Sequence, residues 1–168
     1  IVEKVTGKPF REFVAKRLLK PPGMDECVMH VEGKTKVKHR AFGYSPDGPD
    51  GWKRTDQSRT SATLGDGGLY CSLAGLEKWM SSSASMTTEM ITPQKLADGT
   101  VTEYGLGWFV NQERIWHTGE TKGFRTAILK DRRTGDIAIV LTNRADAKTI
   151  ALAEAALGLK ATEKTPAR

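Results

Sequence analysis

The last third of the sequence constrains the fold most, because its apolar residues leave helical spacing and adopt the alternation of β-strands. The segments 125–131 and 136–143 alternate or run apolar, and Arg132-Arg133-Thr134-Gly135 between them has the composition of a turn. This order predicts an antiparallel hairpin. Two more strands are predicted upstream, at 104–111 and at 115–117.

A helix is predicted after this hairpin. The segment 145–157 is rich in Ala and Leu, which favour helices, and it follows directly on the last strand. We expect it to pack across one face of the sheet. Four apolar strand residues are then expected to be mostly buried: Ile128, Ile137, Ile139 and Leu141.

The first part of the chain has helical periodicity. Apolar residues recur at helical spacing over residues 1–20, with Lys and Arg opposite them. Gly7-Lys8-Pro9 interrupts this pattern, so we expect a helix end, a turn, and a second helix with Pro9 in its first turn. Pro21-Pro22-Gly23 ends the second helix.

The middle of the chain is rich in loops. It predicts a strand at 36–44, a helix at Leu73–Met80 with Ser72 as its N-cap, and a short helix at 86–91. Helices followed by an antiparallel sheet and a closing helix define an α+β fold. We predict one domain over residues 1–168, without internal repeats.

Composition limits the partners. Hydrophobic residues make up 38% of the sequence, so a packed core is within reach. The net charge of +6 is scattered, and its densest run (Lys34, Lys36, Lys38, Arg40) suits the exposed face of an edge strand. Nucleic-acid binding is the alternative reading of that run, but no recognition motif accompanies it, so we predict none. No apolar run is long enough to cross a membrane.

The metal-ligating residue types are too few and too scattered for a site. His30, His39 and His117 lack metal-ligand spacing, so we predict no metal and no cofactor. Two cysteines cannot build a disulfide framework, and we expect Cys27 and Cys71 to be buried free thiols.

The most pointed local feature is His117-Thr118-Gly119, which precedes Thr121-Lys122-Gly123. A polar ring, a hydroxyl and a glycine at a strand edge suit the binding of a carboxylate or an amide, because the glycine lets a ligand approach the backbone closely. The alternative is an ordinary glycine-rich strand end.

Five blocks in the same order extend this feature over nearly the whole chain. They are Ile1 to Phe10 with Pro21-Pro22-Gly23-Met24, Gly67 to Ser72, Tyr104-Gly105-Leu106-Gly107-Trp108, His117-Thr118-Gly119 with Gly123-Phe124, and Ile139 to Asn143. Together they resemble the β-lactamase-related serine hydrolases, which include class C β-lactamases, D-alanyl-D-alanine carboxypeptidases and family VIII esterases. His117-Thr118-Gly119 stands where other members have Lys-Thr-Gly.

One signature of that family is missing. No Ser has a Lys three residues later, so the Ser-x-x-Lys nucleophile helix is not among these residues. Tyr70-Cys71-Ser72 matches Tyr-x-Ser formally, but it falls in the block that is similar to a structural loop. The resemblance therefore implies the C-terminal portion of such an enzyme, and whether this chain acts alone as an enzyme stays open.

The resemblance also implies roles and partners. His117, Thr118 and Gly119 would hold the carboxylate or carbonyl edge of an ester, β-lactam or D-alanyl peptide substrate. A backbone N–H near Thr121 to Gly123 would complete an oxyanion hole. The alternative is a non-catalytic binding or pairing module.

We further expect a homodimer or domain swap, because the missing portion would leave apolar surface uncovered. Family members are often periplasmic or secreted, whereas this chain has no leader, so the compartment stays open.

Overall fold

The computed structural model describes residues 1–31, 33–56 and 63–161 of the chain. In chain order its elements are α1 (Val2–Thr6), α2 (Phe10–Val14), a π-helical turn (Ala15–Leu19), β1 (Val28–Met29), β2 (Tyr44–Asp47), β3 (Gly51–Arg54), β4 (Leu69–Tyr70), α3 (Leu73–Met80), β5 (Phe109–Val110), β6 (Arg114–Thr121), β7 (Phe124–Asp131), β8 (Ile137–Thr142) and α4 (Thr149–Ala156). Within the described ranges, no helix is long and apolar enough to span a membrane.

A four-stranded antiparallel sheet in the order β5-β6-β7-β8 organises the fold. Strands β6 and β7 join through a two-residue turn, with Thr121 opposite Phe124. The turn between β7 and β8 begins at Asp131, whose buried carboxylate accepts the backbone N–H groups of Arg133 and Thr134. The Arg133 N–H is the main cause that lowers the pKa of Asp131. The predicted hairpin and the α+β class are confirmed.

The two faces of the sheet are covered by different elements. Helix α4 packs on one face, where Ala153 meets Trp116 and Leu129. On the other face, Met80 of α3 and Trp108 join Val110 and Ile115, and half-buried strand residues extend this cluster: Ile128, Ile137 and Ile139.

The burial expectation for the strand residues is only partly met. The three isoleucines are half-buried, and Leu141 is 39% exposed, so that prediction is wrong for Leu141. The reason is its place in the sheet. Leu141 lies in the row with Thr126 and Gly119, one step beyond the apolar cluster around Met80.

A buried ion pair ties α4 to the sheet. Arg114 of β6 donates to Glu154 of α4 at 2.6 Å, and the two side chains are 5% and 3% exposed. Arg114 also donates to the Glu113 carboxylate at 3.3 Å and to the Lys160 carbonyl oxygen at 3.4 Å. These partners accept hydrogen bonds from most of the Arg114 guanidinium, whose charge would otherwise be costly to bury.

The N-terminal helices form a second, smaller core. The break at Gly7 is confirmed, since Gly7 ends α1 with a φ of 65°. Pro9 is the N-cap of α2 rather than a residue of its first turn. The core beneath contains Val14, Leu19, Met24, Cys27 and Met29.

The prediction that the two cysteines are free thiols is wrong. Cys27 and Cys71 form a disulfide, with 4.2 Å between their Cα atoms, and are not free thiols. The pairing of β1 with β4 brings the two cysteines together, because Cys27 precedes β1 and Cys71 follows β4. Gly75 of α3 is buried directly against both sulfur atoms.

Three local predictions are wrong, and each has a backbone or side-chain cause. The strand predicted at 36–44 is interrupted by His39, whose φ of 51° is left-handed; instead β2 and β3 pair as a hairpin further on. Residues 86–91 form turns, with the Ile91 N–H donating to the Thr87 carbonyl oxygen at 3.2 Å; just before them, Ser85 bonds back to the carbonyl oxygens of Met80 and Ser82. Gly107, with a φ of 97°, limits the strand predicted at 104–111 to Phe109–Val110.

The remaining elements follow their predictions closely. Helix α3 has the predicted bounds, and the Ser72 hydroxyl accepts the Gly75 N–H at 3.0 Å. Helix α4 is shorter than predicted, and β6 is longer, reaching from Arg114 to Thr121.

Loss of the disulfide should lower stability. The cysteines are 44 residues apart, and a cross-link of that span contributes about 4 kcal/mol by restricting the unfolded chain. We expect Cys27→Ala with Cys71→Ala to lower the free energy of unfolding in urea by up to that amount. Adding a reductant should destabilise the natural protein but leave the double variant unchanged. Equal stability with and without reductant would contradict the assignment.

Removal of one partner of the buried ion pair should be costly. Glu154→Leu leaves the Arg114 charge buried, so we expect a loss of about 3–5 kcal/mol in the free energy of unfolding. Adding Arg114→Met should recover much of that loss. The matched control is Asp146→Ala, which breaks the exposed pair with Arg144 and should cost less than about 1 kcal/mol.

Candidate functional site

His117 lies on β6 in an aromatic setting. Its half-buried imidazole Nε2 is 3.1 Å from the hydroxyl of Tyr104, and the two ring centroids are 6.0 Å apart. The Phe109 ring lies 5.8 Å from His117 and stacks on Trp116 at 5.4 Å. Tyr104 thus helps to orient the imidazole. The sequence analysis had matched Tyr104 only to a strand block and missed this contact.

The residues predicted for the site fall on two faces of the sheet. Successive side chains of a strand point to opposite faces. His117, Gly119 and Thr121 therefore share the face of Ile128, whereas Thr118 pairs with Ala127 on the face that α4 covers. The Thr118 hydroxyl and the imidazole consequently do not point into one cleft.

The outer edge of β6 is open next to His117. Strand β5 pairs only with Ile115 and Trp116, because the chain turns away at Gly107. Within the described ranges, no other strand adds to this edge. The edge therefore offers backbone groups to a ligand.

The hairpin turn determines which backbone groups these are. Thr121 and Phe124 close a two-residue turn, so they exchange both hydrogen bonds, and the bonded residues alternate from there. Gly119 and His117 bond to β7, which leaves the N–H and C=O groups of Thr118 and Glu120 at the open edge. The sequence analysis placed a donor near Thr121 and missed Glu120, although counting back from the turn could have found it.

The Arg125 side chain stabilises the turn between β6 and β7. Arg125 donates to the carbonyl oxygens of Thr121 and Phe124 at 3.0 and 2.8 Å. It also lies 3.7 Å from the Glu120 carboxylate. This arrangement keeps the end of β6 in a fixed register.

The two predicted glycines have different surroundings. A Cβ on Gly119 would meet only the side chain of Thr126 across the sheet. Gly123 is buried, has a φ of 83°, and lies against the backbone of Gly43 and Thr55, with a Cβ position 2.7 Å from the Gly43 Cα. The Tyr44 N–H also reaches the Gly123 carbonyl oxygen at 3.3 Å. Gly123 therefore seats the β2–β3 hairpin on the sheet.

Other candidate features lie elsewhere. Tyr70 is on β4, where its hydroxyl accepts a hydrogen bond from Arg40 at 2.9 Å. Two cavities of about 390 and 290 Å³ lie against the N-terminal helices, lined by residues such as Phe13 and Leu19, rather than beside His117. In the part of the chain that the structure describes, no three His, Cys, Asp or Glu residues cluster as metal ligands would.

Comparison with known proteins identifies the family of this chain. A family model described as Beta-lactamase matches residues 1–162. The chain belongs to the Beta-lactamase family. The resemblance carried by the five sequence blocks is thereby confirmed.

Solved structures share the fold of this Beta-lactamase family chain. A penicillin-binding protein from Bacillus halodurans superposes with a TM-score of 0.70 at 20% identity, covering 94% of this chain and 51% of the other. An octameric penicillin-binding protein homologue from Pyrococcus abyssi gives 0.70 at 23% identity, covering 94% and 40%. The chain thus spans about half the length of these proteins or less. No curated protein matches it.

The contrast between the two glycines is testable. Gly123→Ala forces a side chain into a left-handed, packed position, so we expect it to lower the free energy of unfolding by about 1–3 kcal/mol. Gly119→Ala would bring its Cβ against one side-chain atom, the Thr126 hydroxyl, at a position without a left-handed backbone, so it should cost less than Gly123→Ala. Urea denaturation measures both. Equal losses would mean that the docking of the hairpin does not depend on Gly123.

Proposed function

We propose that this chain supplies the substrate-binding edge of a β-lactamase- or penicillin-binding-protein-like serine hydrolase. The substrate would be an ester, a β-lactam or a D-amino-acid peptide, held without metal or organic cofactor. The edge of β6 beyond β5, beside His117, carries this proposal, because a polar ring and outward-pointing backbone groups of Thr118 and Glu120 meet there.

The proposed contacts follow from the strand geometry. The His117 imidazole would face the substrate carboxylate, and its protonated form would add a full positive charge to that contact. The N–H and C=O groups of Thr118 and Glu120 would pair with an amide or carbonyl of the substrate, as an added strand does. Gly119 leaves room for that approach, while Thr121 and Gly123 hold the end of the edge in register.

A second candidate function is kept because these residues do not include the nucleophile motif of the family. No Ser-x-x-Lys occurs among the 168 residues, and a Ser without a partnered base is a weak nucleophile. A non-catalytic ligand-binding or pairing module is therefore the alternative. In both cases the ligand would contact the same edge of β6.

Self-association is the second element of the proposal. Exposed apolar side chains such as Leu141, Leu106 and Leu152 favour contact with another polypeptide, and a second copy of this chain is the partner we propose. The octameric state named for the Pyrococcus abyssi homologue is consistent with assembly.

Binding of an anionic ligand should depend on the His117 side chain. We expect His117→Ala to weaken binding of a β-lactam or D-alanyl peptide by about 1–3 kcal/mol, the scale of a lost charged contact. The natural protein should bind more tightly at about pH 6 than at about pH 8, and the variant should lose that difference. Calorimetric titration at both pH values measures the effect.

Thr118 provides the matched control. Thr118→Ala keeps the backbone N–H and changes a side chain on the opposite face, so binding should stay close to that of the natural protein. Absence of binding at both pH values would overturn the proposal, as would binding that His117→Ala does not change. A reactive fluorescent β-lactam separates the two candidate functions, because only an acylating enzyme is labelled covalently.

A further inference from the structure

The Tyr104 side chain is placed by a tight turn of the backbone. A Cβ on the buried Gly105 would overlap the Met90 carbonyl oxygen, and Gly107 has a left-handed φ of 97°. Only glycine fits these two positions without strain. The two glycines let the chain fold back, so that Tyr104 pairs with Phe109 in an isolated β-bridge.

Both the backbone and the ring of Tyr104 are held in place. Its carbonyl oxygen accepts hydrogen bonds from the Gln94 N–H and the Thr102 hydroxyl, each at 2.9 Å. Its ring meets the Phe109 ring edge-on, with 4.7 Å between the centroids. These contacts all lie within residues 94–117, so the position of the Tyr104 hydroxyl, 3.1 Å from the Nε2 of His117, is determined locally.

The direction of this hydrogen bond follows from the proton that each group carries. A tyrosine hydroxyl has one proton to donate, whereas a neutral imidazole has one protonated nitrogen and one bare nitrogen. Among the described residues, the Tyr104 hydroxyl bonds to His117 alone. If Nε2 carried the imidazole proton, the proton of the half-buried phenol would lack an acceptor in the chain, which costs free energy. Donation from the phenol to a bare Nε2 satisfies both groups.

We infer that Tyr104 is a positioning residue of the His117 site: its hydroxyl donates to Nε2 and thereby keeps the proton of the neutral imidazole on Nδ1. For the identity of the ligand, this inference rests on the proposed function. A substrate carboxylate would take its hydrogen bond from Nδ1, in exchange for any contact that Nδ1 makes within the chain. The site would then offer a donor to an anion even when the imidazole is uncharged.

The role of Tyr104 depends on the charge of the imidazole. The Phe109 ring, 5.8 Å from the His117 ring, is uncharged. On β7, Ile128 lies directly opposite His117, and Lys130 is a diagonal neighbour whose positive charge acts against protonation. Once the imidazole is protonated, both of its nitrogens carry protons, and Nε2 donates to the Tyr104 oxygen instead. Tyr104 therefore decides which nitrogen carries the proton only while the ring is neutral.

Nitrogen-15 NMR of the histidine rings tests the proton position without any ligand. The chain has three histidines, and the signals lost in His117→Ala identify those of His117. At a pH where this ring is neutral, we expect a protonated Nδ1 and a bare Nε2. Tyr104→Phe removes only the hydroxyl, so the proton should move in part to Nε2. The matched control is Tyr44→Phe, which removes a tyrosine hydroxyl from β2 and should leave the proton position unchanged.

Two NMR results would overturn the inference. One is a protonated Nε2 in the neutral ring of the natural protein. The other is a proton position that Tyr104→Phe does not change.

Calorimetric titration with N-acetyl-D-alanyl-D-alanine tests the ligand side. We expect Tyr104→Phe to weaken binding about five- to ten-fold at the pH where NMR shows a neutral His117, which is the scale of one net hydrogen bond. The loss should be smaller at the pH where the ring is protonated. An equal loss at both pH values, or none, would overturn the role of Nδ1 as the donor. A natural protein that binds no peptide at either pH would overturn the proposed function, whereas the NMR result would still decide the role of Tyr104.

Discussion

The pairing of β6 with β7 around a two-residue turn is the constraint on which the rest of the structure depends. It fixes which residues of β6 face α4, which face Met80, and which backbone groups are left at the outer edge. A slip of one residue would exchange the two faces and would place His117 beneath α4. The Arg125 contacts to Thr121 and Phe124, and the Gly123 packing against Gly43, both reinforce this one register.

The parts of the fold with local signals were predictable from sequence. The Arg132-Arg133-Thr134-Gly135 turn and the flanking apolar runs located β7 and β8 within a residue or two, and Ser72 located the start of α3. The predictions that were wrong depend either on contacts between distant parts of the chain or on the backbone of a single residue. A left-handed His39 ends an otherwise good strand pattern, and the approach of Cys27 to Cys71 depends on the pairing of β1 with β4. The motif alone was enough to single out His117 as a candidate, whereas the face on which Thr118 lies could be known only from the register of the sheet.

The two edges of the main sheet have different chemistry. The β6 edge is short, and a histidine, a glutamate backbone and a glycine lie along it. The β8 edge is longer, and it is apolar from Ile137 to Leu141. Because β7 separates them, occupation of one edge leaves the other accessible.

The position of Gly75 has a consequence for any effort to engineer the protein. Glycine in the interior of a helix normally invites replacement by alanine, which raises helix propensity by roughly 1 kcal/mol. Here the added methyl carbon would stand 2.5 Å from the Cys27 sulfur and 2.6 Å from the Cys71 sulfur. The helix and the disulfide therefore share one small volume. Local helix propensity in α3 is limited by a cross-link between two other segments, so neither feature can be optimised alone.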